Sequence, residues 1–162
     1  MKPEAGSDVT SETSRAEARR SLRRLLREQR LCVLSTHRDG APYASLVAFV
    51  ASEDLGGIIF TTPRGTRKFE NIKADPRVAV LIDNARELPA DCEKAAAVTA
   101  TGRAVELSDG ARAEAAERFC EAHRHMRQFV ADPSTALICI QVETYYVVRH
   151  FQDVTELPRP TW

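Results

Sequence analysis

Neither sign of charge dominates this 162-residue sequence: Lys+Arg and Asp+Glu both total 23. That balance argues against nucleic acid or another polyanion as the principal partner. No apolar run approaches the length needed to cross a bilayer, so no membrane segment is expected. The N-terminus has no apolar stretch behind its first charges, unlike a secretory signal, and Glu4, Asp8 and Glu12 argue against an acid-poor transit peptide. The expected location is the cytoplasm. Cysteine is scattered: Cys32, Cys92, Cys120 and Cys139 form no close pair and have no histidine at metal spacing. Neither a disulfide framework nor a metal site is expected from them. No glycine-rich nucleotide loop, carboxylate pair or Ser–His–Asp pattern stands out.

What the sequence does contain is an ordinary globular domain, with 43% hydrophobic and 28% charged residues. Residues 1–13 are polar and aperiodic, so they are expected to be disordered, leaving 14–162 as a single domain. Ser14 with Glu17 makes a capping-box pattern, and Ala18, Leu22, Leu25 and Leu26 follow on one helical face. The opposite face is rich in arginine: Arg15, Arg19, Arg20, Arg23, Arg24, Arg27 and Arg30. Such a face is either solvated or an interaction surface for an anionic partner.

From Leu31 the hydrophobic period shortens. Strands are predicted over 31–36, 41–51, 57–62, 77–82, 95–107 and 136–148, with an Asp39-Gly40 hairpin turn and a bulge or bend at Gly102. Short helical spacing covers 68–74 and ends before Asp75-Pro76. A longer helix starts at Ser108 or Asp109 and runs towards Val130, and 84–94 is a polar loop. Six strands joined mostly by hairpin turns imply an α+β fold, a mainly antiparallel six-stranded split β-barrel with peripheral helices.

One junction implies a ligand. Strand residues Ile59-Phe60-Thr61-Thr62 run into Pro63-Arg64-Gly65 and then into a helix opening on Thr66-Arg67-Lys68. Hydroxyls from Thr61 or Thr62 and from Thr66, free backbone N–H groups, the positive end of a helix dipole and two cations are the parts of a phosphate site. Arg67 brings a bidentate fork and Lys68 a point charge. The same residues also suit a plain capped helix with two solvated cations. The histidines suggest packing or surface roles, since His123 and His125 point to different helix faces.

Phe60-Thr61-Thr62-x-x-Gly65-Thr66-Arg67-Lys68, with Asn71 and Asp75-Pro76-Arg77-Val78-Ala79-Val80-Leu81, resembles the pyridoxamine 5'-phosphate oxidase-like family of FMN-binding split barrels. The resemblance implies a homodimer with FMN at the subunit interface and a small-molecule substrate. It implies that Thr62 meets the FMN phosphate beside Arg67 and Lys68, and that Ser45, Leu46, Val47 and Ala48 pass the isoalloxazine ring. Two departures set the chain apart from the oxidase proper. Ala97 stands where the oxidase has a flavin-contacting glutamine, and the C-terminal Arg-Leu-Ala-Pro ending is missing. The resemblance thus implies an FMN-dependent oxidoreductase or flavin reductase-like protein, with no catalytic side chain assigned. Haem, with His37 or His150 as axial ligand, and a deazaflavin are the alternative cofactors.

Overall fold

The computed structural model describes residues 6–84, 95–150 and 153–159. Helix α1 (Gly6–Glu28) is followed by strands β1 (Leu31–Arg38), β2 (Ala41–Ala51) and β3 (Gly57–Pro63). Then come α2 (Arg67–Ala74), β4 (Arg77–Asp83), β5 (Ala97–Glu106), α3 (Asp109–Ala122), a single 3₁₀ turn (Arg124–Met126) and α4 (Arg127–Ala131). The chain ends in β6 (Thr135–Arg149) and β7 (Asp153–Pro158). The sheet order is β3-β2-β1-β4-β5-β6-β7, and a β3–β6 pairing closes the first six strands into an antiparallel barrel. Four helices flank it, which makes the expected α+β split barrel.

Residue alternation sets the barrel wall. Cys32 and Leu34 of β1, Val47 and Phe49 of β2, and Val78, Val80 and Ile82 of β4 point inward and are buried. Strand β3 is buried on both faces, which explains its unbroken apolar run. Its Ile58 and Phe60 enter the barrel core, while Ile59 packs under α3 with Phe119, Cys120 and Leu137. Helix α1 covers the core with Ala18, Leu22, Leu25 and Leu26, leaving most of its arginines exposed.

Four features differ from the sequence reading. Helix α1 begins at Gly6, not Ser14, so residues 6–13 are helical and Ser14 lies inside the helix rather than capping it. Ser14 and Glu17 instead face β6, where the Arg149 guanidinium donates to the Ser14 hydroxyl (3.0 Å) and the Glu17 carboxylate (2.7 Å). The long helix expected after Ser108 stops at Ala122, because buried His123 leaves helical geometry (φ −129°, ψ 63°) and its Nε2 bonds the Phe49 carbonyl oxygen at 2.9 Å. A seventh strand, β7, extends the sheet beyond the barrel by pairing with β6. The bulge lies opposite Gly102, where β6 carries the extra residue Glu143 between partners Val142 and Thr144. Most of the polar loop expected at 84–94, including Cys92, lies outside the described residues.

Arg149 is 6% exposed and also binds Asp153 of β7 at 2.7 Å, so one side chain ties α1, β6 and β7 together. Arg149→Ala removes a buried cation from three partners at once. It is expected to lower Tm on the order of 10 °C, more than either Glu17→Gln or Asp153→Asn. Thermal melts of the three variants check this ordering. Hydrogen bonding to Arg149 also holds the Glu17 carboxyl below its ordinary value of 4.5. That contribution is therefore complete above pH 4.5 and fades as the pH falls below it.

Candidate functional site

The strand–turn–helix junction folds as a connected polar corner. Thr66 is the N-cap of α2: its hydroxyl accepts from the Phe69 N–H at 3.4 Å and donates to the Pro63 carbonyl oxygen at 2.9 Å. The Thr62 hydroxyl lies 2.9 Å from the Thr66 hydroxyl, so the strand end and the helix cap share one hydrogen-bond chain. Arg64 belongs to the scaffold, because its guanidinium pairs with Glu106 and donates to the Pro133 carbonyl oxygen, fixing the turn to the start of β6. Asn71, 2% exposed, donates to the Thr36 hydroxyl at 3.0 Å and anchors α2 on β1.

Arg67 and Lys68 remain as the cations of the corner. Among the described residues neither has a carboxylate partner, and the Arg67 guanidinium lies 5.3 Å over the Tyr43 ring. Two cations without a carboxylate partner among the described residues, beside two hydroxyls and a helix N-terminus, form a set of donors for an anion.

The remaining sequence candidates divide by face. Thr61 and Thr62 are adjacent in a strand, so they point to opposite sides and only Thr62 joins the corner. Thr61 is 7% exposed, and its hydroxyl has no hydrogen-bond partner among the described residues. On β2, Ser45 and Val47 turn inward while Leu46 and Ala48 turn outward. The Ser45 hydroxyl is likewise buried without a partner among the described residues. Buried hydroxyls in that state are costly unless something absent from the bare chain bonds them. The donor set of the corner itself, Thr62, Thr66, Arg67 and Lys68, fits a phosphate ester.

The other titratable groups serve the scaffold. His37 lies 3.3 Å from the Asp75 carboxylate, which hydrogen bonds from Arg77 hold below its usual range. His150 is exposed in a left-handed turn (φ 47°) between β6 and β7. Burial pushes the Cys32 thiol up to about 12, so it is no nucleophile at neutral pH. Among the described residues no cluster of His, Cys, Asp or Glu could hold a metal ion, and no helix is long and apolar enough to cross a membrane.

Tyr43 and Arg38 were not among the sequence candidates. They reach the corner through the β1–β2 hairpin, and no local pattern marks them: their proximity to Arg67 exists only after folding.

Comparison with known proteins places the fold. A haem-binding protein from Mycobacterium smegmatis superposes with a TM-score of 0.77 at 18% identity over 87% of this chain, which spans 57% of that protein. A FAD-binding protein from Mesorhizobium loti gives 0.65 at 21% identity, covering 80% of this chain and 90% of the other. General stress protein 26 from Bacillus anthracis gives 0.67 at 22% identity, covering 86% and 96%. These identities establish a shared fold only. Among curated proteins compared by sequence, none matches. The sequence profile described as pyridoxamine 5'-phosphate oxidase matches residues 18–149, which span all six barrel strands and the phosphate-type corner. The chain belongs to the pyridoxamine 5'-phosphate oxidase family.

Proposed function

We propose that this protein is a flavin-binding oxidoreductase that works as a homodimer and holds FMN through the phosphate at its polar corner. The observation that carries the reading is the Thr62–Thr66–Arg67–Lys68 corner, whose cations have no carboxylate partner among the described residues, in a chain of this family. Arg67 and Lys68 would hold the phosphate, with Thr62 and Thr66 supplying hydroxyls. Ser45 to Ala48 would lie along the ring. When bound, the flavin supplies one- and two-electron chemistry, and the chain's task is to fix its orientation and exclude water. Ala97 removes the glutamine amide of the oxidase proper, so pyridoxamine phosphate is not the proposed substrate. A small molecule reduced or oxidised in the cytoplasm is.

The test is spectroscopic. Protein as purified, or after addition of FMN, should absorb as a flavoprotein, quench flavin fluorescence on binding and release a flavin identified by mass. Colourless protein that leaves FMN fluorescence unchanged would refute the reading. The haem alternative, with His37 or His150 as axial ligand, would show a Soret band in the same spectra. A deazaflavin would use the same phosphate donors, and the mass of the released ligand separates the two.

The dimer rests on an apolar sheet face. Leu46 (57% exposed), Leu31 (42%) and Leu81 (41%) project outward from the neighbouring strands β2, β1 and β4. Leu46, Val33 and Leu81 lie in one cross-strand row. This outward apolar row is where two copies would pack. Leu46→Glu should convert dimer to monomer in analytical ultracentrifugation and weaken flavin binding with it. A Leu46→Glu protein that remains dimeric would place the interface elsewhere.

A further inference from the structure

Helices α3 and α4 leave a gap where they face each other. It is a cavity of about 560 Å³, open to solvent on one side and of a size usual for a small-molecule site. Its α3 wall is one helical face, along which Arg112, Ala113, Ala116 and Cys120 follow at helical spacing. Val130 and Ala131 of α4 form the facing wall. Ala115 and Phe119 hold α3 on the barrel by packing with Ile59 and Leu137. Three alanines line a seam that larger side chains would close, which keeps the space open. None of the cavity's residues belongs to the polar corner.

One charged side chain in this wall lacks an acceptor. The Arg112 Nη2 donates to the Val130 carbonyl oxygen at 3.0 Å, which lays the guanidinium across the seam. Its Nη1 is buried and bonds nothing among the described residues, where Arg112 also has no carboxylate partner. A cationic N–H left in that state is costly, and an anionic oxygen is the acceptor that offsets it best. Arg112 lines the cavity, so a small turn of its terminal torsions brings Nη1 to a molecule seated there. Asp109, Glu117 and Arg127 also border the space, but all three are exposed and their charges are screened by water. The alanines and Val130 offer only hydrocarbon. One guanidinium neutralises one negative charge, and an apolar wall penalises a second, so a monoanion with an apolar body fits better than a phosphate.

We propose that the α3–α4 cavity binds a small monocarboxylic acid, with its carboxylate on Arg112 and its hydrocarbon along Ala113, Ala116, Cys120 and Val130. This site is independent of the flavin reading and stands whether or not that reading does.

Calorimetric titration of the full-length protein with octanoate, octanol and octylamine tests it. Octanoate is expected to bind roughly tenfold tighter than octanol, or better, and the octylammonium ion more weakly than either. Arg112→Gln should abolish the advantage of octanoate over octanol. Ala113→Phe, at an exposed position that lines the cavity, keeps Arg112 and fills the space, so it should weaken octanoate and octanol together by about tenfold. Circular dichroism checks that both variants fold. The paired change of Arg67 and Lys68 to glutamine should leave octanoate affinity within about twofold, because the corner lies elsewhere. Equal affinity for octanoate and octanol, or no binding of octanoate, overturns the proposal. So does an advantage for octanoate that survives Arg112→Gln, octanoate binding untouched by Ala113→Phe, or its loss with the corner cations.

Discussion

Replacing Arg67 and Lys68 together by glutamine is expected to weaken flavin binding about a hundredfold or more. Each cation contributes a charge-assisted hydrogen bond to phosphate, on the order of 1.5–3 kcal/mol, and about 1.4 kcal/mol corresponds to tenfold in affinity. Both side chains project from the first turn of α2, whose anchoring falls to Phe69, Asn71 and Ile72, so the fold should survive the change. Circular dichroism should match the unaltered protein while fluorescence titration shows the loss. Arg67→Lys keeps the charge and loses the fork, so its affinity should fall between the two. Salt sensitivity offers an independent reading, since a phosphate held by two cations weakens as ionic strength rises. An affinity for FMN within threefold of the unaltered protein would show that the corner holds no phosphate.

The second large effect is on stability. At Gly102 an added Cβ would lie 2.1 Å from the Gln141 carbonyl oxygen and 3.0 Å from the Val142 Cα. Both are backbone atoms of β6 beside the Glu143 bulge, so neither can rotate away. Gly102→Ala must spread β5 from β6 in the middle of the barrel wall. We expect a loss of about 3 kcal/mol or more, a large share of the 5–15 kcal/mol typical of a whole domain. Soluble yield should drop, and the urea midpoint should fall with it. Gly65 provides the contrast. It lies in the turn of the polar corner, where an added Cβ meets nothing within 4 Å. Gly65→Ala should change stability little, and a Gly102→Ala protein as stable as Gly65→Ala would contradict the close approach.

The barrel was legible in the sequence where information was local. The hairpin turn reads from Asp39-Gly40, and it does adopt positive φ at both residues. The bounds of β2 match the alternation of Ala41 to Ala51. The polar corner was legible for the same reason, because Thr62, Thr66, Arg67 and Lys68 sit within seven consecutive positions. What was not legible depends on partners distant in the chain. Strand β7 buries only Leu157 and ends in Pro158, so it carries almost no hydrophobic signal and exists because β6 supplies its ladder. The break after Ala122 comes from a bond between His123 and a carbonyl on β2, which no helical spacing could reveal. The Ser14–Glu17 pattern misled because the spacing that marks a capping box also places both side chains where Arg149 reaches them. Propensity weighs local choices, and one buried guanidinium outweighed it.

The closure between β3 and β6 has a consequence for how this chain is made. Pro63 and Thr135 are paired neighbours in the finished barrel, yet α2, β4, β5, α3 and α4 are all synthesised between them. Until β6 leaves the ribosome, β3 has one bare edge and an apolar surface on each face. The nascent protein thus passes through a long interval in which its stickiest strand is unguarded, and non-local pairing of this kind is slow to form. Yield of native protein is therefore expected to rise with chaperone supply during synthesis.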